Sequence, residues 1–217
     1  MRDVFHEDLD AINHTLVSMS NLVADAMNRA TTALLEPNLE LAEEVIAADD
    51  KVDAIQHDLD NKTLLVMARQ QPVASDLRNL VTSLRMSADF ERMGDFCHHI
   101  ARIARMRYPQ SAVPAELAPT IQAMGEVAEK LIRKLSGLLQ SRDINVALEV
   151  EHDDDEMDRL HRKLFEILLD DKWEHGIETA IDITLLGRYY ERCADHAVSV
   201  SRRVYFLVTG EYASKQS

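Results

Sequence analysis

Glycine and proline are scarce in this chain, six and five among 217 residues, and only 5% of its residues are aromatic. So few turn-formers and so few ring side chains argue against a many-stranded β protein. A Gly-rich phosphate loop, a Ser-His-Asp set and a Cys-x-x-Cys pair are all missing. The two cysteines, Cys97 and Cys193, give no disulfide framework; both fall on apolar helical positions and read as small core residues. No apolar run approaches the roughly 20 residues that span a bilayer. The opening "MRDVFHEDLD" lacks the basic and apolar regions of a signal peptide, so a cytoplasmic protein without membrane insertion is expected. Positive charge is short as well. With 24 Lys and Arg against 38 Asp and Glu, the formal charge is -14, which speaks against nucleic acid as a partner, since binding there is driven by cations neutralising phosphates. Two local basic runs, "ARIARMR" from Ala101 and "SRR" from Ser201, are expected in last helical turns, where cations complement the helix dipole.

What the chain has in abundance is helix-forming sequence: hydrophobic residues make up 46% and charged residues 29%. Breaks at Pro37, Pro72, Pro109, Gln140 to Asp143, Asp170 to Gly176 and Gly210 cut it into six helical segments. The first carries a stripe at Phe5, Leu9, Ile12, Leu16, Met19 and Val23, spaced alternately by four and three, the seam of a helix packed lengthwise on others. Shifted by 112 positions, the stripe returns as Leu117, Ile121, Met124, Ala128, Leu131 and Leu135. Val45, Val52, Ile55 and Leu59 return, shifted by 105, as Val150, Met157, Leu160 and Leu164. Phe90, Met93, Cys97, Ile100 and Ala104 return, shifted by 100, as Tyr190, Cys193, Ala197, Val200 and Val204. The expected architecture is all-α: two tandem three-helix bundles related by an internal repeat, over residues 1–108 and 115–210, with a linker at 109–114 and a tail at 211–217.

Carboxylates repeat along with the seams. "DFERMGDFCHHIARI" and "YYERCADHAVSVSRRV" each contain Glu-Arg-x-x-Asp, giving Glu91/Asp95 and Glu191/Asp195. A spacing of four places each pair on one helix face, about a turn apart, away from the local apolar seam. The second segment of each half adds Asp49 and Asp53, matched by Asp154 and Asp158, with Asp50 and Asp155 also corresponding. Clustered carboxylates repel and raise one another's pKa; a bound hard cation such as Mg²⁺, Mn²⁺ or iron relieves that cost. Zinc is a further option, and both divalent and trivalent ions suit such a set. Against this stands a solvated acidic face whose Glu91, Arg92 and their counterparts form ion pairs of little energetic consequence.

The stretches "LRMSADFERMGDFCHHIARIA" and "GRYYERCADHAVSVSRRVYFLVTGE", with six helices in two halves, resemble the PhoU family over roughly Phe5 to Glu211. That resemblance implies metal binding through the two Glu/Asp motifs and the second-helix aspartates. It also implies a homodimer, negative regulation of phosphate uptake and of the phosphate-starvation response, and a link between the ATPase subunit of the phosphate ABC transporter and a sensor histidine kinase. Asp50, Asp155, His98, His99, His196, Arg92 and Arg192 are expected around the ligands rather than among them. His98 and His99 are not repeated, Val198 and Ser199 standing in their places. Trp173, in a turn, is expected to pack locally.

Two other readings compete. A metal-independent acidic helical adaptor would bind a basic partner directly. A di-iron bundle enzyme would need paired Glu-x-x-His motifs, and the single Glu149/His152 match, with Asp95/His98 and Asp158/His161, does not recur under the repeat. No catalytic residues are assigned, and the chain is not expected to be an enzyme.

Overall fold

The computed structural model describes residues 2–211, so most of the tail expected at 211–217 lies outside the described residues. Among the described residues six helices follow one another: α1 (Arg2–Leu35), α2 (Leu39–Gln70), α3 (Ala74–Arg107), α4 (Ala118–Ser141), α5 (Ile144–Leu168) and α6 (Gly176–Thr209). Their ends are chemically marked. Asn38 caps α2 by accepting from the Leu41 amide at 3.0 Å, and Asp143 caps α5 by accepting from the Asn145 amide at 2.9 Å. Each cap satisfies an amide that the first turn leaves without an intrahelical partner. Gly210 stops α6 at φ 79°, a left-handed conformation that glycine adopts without steric cost.

Within each half the three helices all touch one another, α1 with α2 and α3, and α4 with α5 and α6. The halves are also packed together, α1 against α4 and α3 against α6. The centre is thus a four-helix ring of α1, α3, α6 and α4, with α2 and α5 laid on its outside. Polar contacts fix the directions. Asn13 reaches the Leu139 carbonyl at 3.1 Å and Ser20 the Ile132 carbonyl at 2.8 Å, so α1 and α4 run antiparallel. Arg107 meets Asp182, and Asp89 meets Arg203, so α3 and α6 do too.

The repeated seams form this interior. Leu16, Met19 and Val23 of α1, every residue of the α4 stripe, and Phe90 and Tyr190 are fully buried, while Leu9 and Ile55 pack at its edge. Cys97 and Cys193 are buried core thiols, as expected from their seam positions. Burial raises both thiols far above their ordinary range. One apolar cluster runs through both halves. The Tyr190 hydroxyl is 2.9 Å from Thr31 Oγ1, which gives a buried phenol of α6 the partner it requires.

One expectation fails here. Arg202 and Arg203 are not in a last turn, because α6 continues to Thr209. Apolar Tyr205, Phe206 and Leu207 extend the pattern beyond the basic run, and the two arginines are engaged in tertiary ion pairs instead. Arg105 and Arg107 do lie in the last turn of α3. Arg107 nevertheless donates from Nε to Asp182 Oδ2 at 2.6 Å across the two halves, and also pairs with Glu178.

Candidate functional site

The first acidic cluster lies where α2 crosses α3. At the crossing a Cβ added to Gly94 would make ordinary van der Waals contact, 3.4 Å from Asp49 Oδ1 and 3.5 Å from Val52 Cγ1, so α2 and α3 lie directly against each other there. Asp49, Asp53, Glu91 and Asp95 are all half-buried. Burial pushes the Glu91 carboxyl up, the Asp95 charge adds to this, Arg92 opposes it, and Asp53 and Asp49 add again. Burial likewise raises Asp49, opposed by its hydrogen bond to His98 and reinforced by Asp53 and Asp95. The four carboxylates feel one another electrostatically. His98 Nδ1 lies 2.7 Å from Asp49 Oδ2, and Asp53 Oδ1 is buried without a hydrogen-bond partner. Arg92 pairs with Asp95 at 3.1 Å and more distantly with Glu91 at 3.7 Å.

The second cluster, between α5 and α6, is more strained electrostatically. Asp154 is pushed up to about 7 by burial first and then by Asp158, Asp195, Asp155 and Glu191. Asp158 and Asp195 are exposed, while Asp154 and Glu191 are half-buried. Arg188, not Arg192, supplies the cation here, donating to Glu191 Oε2 at 2.8 Å. Asp50 and Asp155 are exposed at the rims, and Asp155 pairs with exposed His152 at 3.3 Å.

Among the described residues, no three His, Cys, Asp or Glu side chains converge as a ready-made metal-ligand set. The donor chemistry still fits a hard cation: the clusters offer carboxylate oxygens, Asp53 has an unused one, and Asp154 carries an unrelieved penalty. Asp49, Asp53, Glu91 and Asp95, or Asp154, Asp158, Glu191 and Asp195, are the residues that would hold it.

The histidines part company. His98 joins the first cluster. The His99 ring stands 5.2 Å from Tyr189 of α6, and burial and neighbouring His98 lower its pKa. His196 does not join the second cluster; its Nδ1 lies 2.9 Å from Asp89 Oδ1. Asp89 is the residue sequence reasoning passed over. It is 7% exposed and also accepts from Arg203 Nε at 2.8 Å and Ser199 Oγ at 3.3 Å. Under the 100-residue shift its place is taken by Tyr189, so a search for duplicated acids misses it. The available signal was an aspartate interrupting the apolar run "SADF". Glu149 pairs with Lys134 at 2.9 Å and His152 is exposed, so the lone Glu-x-x-His does not point into a bundle core.

The family profile described as the PhoU domain matches residues 16–104 and again residues 121–204. The chain belongs to the PhoU family. It is similar to the phosphate-specific transport system accessory protein PhoU homolog 2 of Mycobacterium tuberculosis, with 43% identity over 212 residues, 98% of this chain and 100% of the relative. A PhoU homolog 1 from Mycobacterium leprae is 42% identical over 98% of this chain and 96% of the relative. The crystal structure of PhoU from Pseudomonas aeruginosa superposes with a TM-score of 0.84 at 27% identity, covering 95% of this chain and 100% of that one. A Streptococcus pneumoniae PhoU structure, at 23% identity and TM-score 0.86 over 97% and 99% of the two chains, shares the fold. The two PhoU domain matches fall on the two halves read from the repeat.

Proposed function

We propose that this PhoU-family protein is a cytoplasmic, non-enzymatic accessory regulator of phosphate-specific transport whose two carboxylate clusters bind metal. The observation that carries the reading is Asp154, whose carboxyl burial and four neighbouring acids push up to about 7. A bound divalent or trivalent ion, Mg²⁺, Mn²⁺, iron or zinc, would neutralise that repulsion. The protein's own part is to bring α2 onto α3, and α5 onto α6, so that carboxylates from two helices face one another. Occupancy then ties the outer helix of each half to the inner one, and the tied surface is what a transporter ATPase and a sensor kinase would meet. The relatives' names, accessory proteins of phosphate-specific transport, support the phosphate setting. Work by contact, including pairing with a second copy, is supported by large apolar side chains left exposed on matching faces, Leu77 and Val81 on α3 and Ile177 and Ile181 on α6.

Elemental mass spectrometry of untagged protein tests this. Stoichiometric metal is expected in the wild type and loss of it when Glu91, Asp95, Glu191 and Asp195 are all replaced by Ala. Derepression of phosphate-starvation genes should accompany that loss, and normal repression by the metal-free variant would refute the coupling. A second reading, an acidic adaptor without metal, is favoured by Arg92 and Arg188 already pairing with the motif acids. Partner binding that survives chelation but weakens with salt would select it.

A further inference from the structure

Between α3 and α6 lies a pocket of about 190 Å³ whose wall gathers three arginines, Arg85, Arg202 and Arg203, on a chain of net charge -14. Thr82, Ser199 and one carboxylate, Asp195, complete its polar lining. We propose that this pocket binds one inorganic phosphate ion per chain, as HPO₄²⁻. It goes beyond the metal reading and does not rest on it.

Three observations point to a small, tetrahedral, partly protonated anion. The pocket is below the ~300–1,000 Å³ typical of organic-ligand sites, so it suits an ion rather than a nucleotide. Its cations are held but not used up. Arg203 is anchored to buried Asp89 through Nε and Arg202 to Glu151 through one terminal nitrogen, which leaves other N–H donors of each guanidinium for a ligand. Arg85 is exposed and makes no hydrogen bond or ion pair among the described residues. Guanidinium groups match the oxygen spacing of phosphate, and the two hydroxyls add donors.

The single carboxylate sets the specificity. Asp195 has only acceptors to offer, so it accepts the remaining proton of HPO₄²⁻ and repels a fully ionised anion of the same shape. Sulfate has no such proton. A phosphate monoester, whose second ionisation falls near 6, has also lost its proton at about pH 8.

The internal repeat supplies a built-in control. Under the 100-residue shift, Thr82, Arg85 and Arg203 become Asp182, Leu185 and Ile103, which removes two cations and adds an acid. The corresponding place in the other half lacks two of the three cations, so one site per chain is expected.

Isothermal titration calorimetry with inorganic phosphate, at about pH 8 and in the presence of a chelator, tests the inference. One saturable site per chain is expected. Arg85→Ala should weaken binding at least tenfold and Arg85→Glu should abolish it, about the effect of losing one charge-assisted bond or reversing it. Both variants should keep the wild-type circular dichroism and melting temperature, because Arg85 makes no hydrogen bond or ion pair among the described residues and is exposed. Sulfate and O-phosphoserine should bind at least about tenfold more weakly than phosphate, and Asp195→Asn should narrow that gap. No saturable binding, two equal sites, or an unchanged affinity in Arg85→Glu would overturn the proposal. Tighter binding of O-phosphoserine than of inorganic phosphate would overturn the free ion as the ligand.

Discussion

Two aspartates of this chain sit in opposite surroundings. Asp154 is half-buried among acids and rises to about 7; Asp89 is buried more deeply but faces Arg203, His196 and Ser199. An Asp raised from an unfolded value of about 3.9 holds its proton in the folded state, so folding is favoured as pH falls through the window from about 7 to about 4 and disfavoured above it. In chelator, Asp154→Asn should therefore be more stable than wild type at about pH 8, by on the order of 1–2 kcal/mol after allowance for solvent screening. Urea unfolding at about pH 8 and about pH 4 checks this, since the difference should vanish at the lower pH. Asp89→Ala should act in the opposite sense. It leaves the partly exposed Arg203 guanidinium and His196 without their carboxylate, at a cost of about 1–3 kcal/mol. The measurement is again urea unfolding, with Arg92→Ala as the exposed comparison, expected to change little because its pairs lie at the surface.

At the scale of elements, contacts between helices depend on positions where a side chain is small. Gly125 of α4 faces Thr31 of α1 so closely that an added Cβ would lie 2.6 Å from Thr31 Oγ1 and Cγ2. Thr31 has no easy retreat, since its hydroxyl already bonds the Met27 carbonyl and meets the Tyr190 hydroxyl. Gly125→Ala should thus force α1 and α4 apart despite alanine's better helix propensity, at a net cost of about 1–3 kcal/mol. Thermal unfolding measures it, and Gly137→Ala provides the contrast. Nothing lies within 4 Å of a Cβ at Gly137, so that change should stabilise by about 0.4–1 kcal/mol.

For the whole molecule, the repeat suggests two halves while the packing makes one core. The α1–α4 and α3–α6 contacts bury Phe90, Tyr190 and the entire α4 stripe in a shared cluster, and the Asp89–Arg203 and Arg107–Asp182 pairs cross the same boundary. A single cooperative transition is expected in calorimetry, with calorimetric and van't Hoff enthalpies equal. A chain cut down to residues 115–217 should fail to give a cooperative melt, since it would expose the faces that α1 and α3 cover. Two separated transitions in the intact protein would contradict this.

Sequence periodicity alone determined the six helices, their seams and the pairing of the halves, because a seam of period near 3.5 and its duplicate are local patterns that need no knowledge of neighbours. The same reasoning placed Glu91 with Asp95 and Glu191 with Asp195, since four residues along a helix fix a shared face. It could not tell which helix faces which. The Asp89 cluster, the arginine-lined pocket and the true engagement of Arg202, Arg203 and His196 all arise where α6 meets elements distant in the chain. Those contacts carry no fixed sequence spacing. Only antiparallel packing of α3 on α6 brings residues more than a hundred positions apart to within hydrogen-bonding distance.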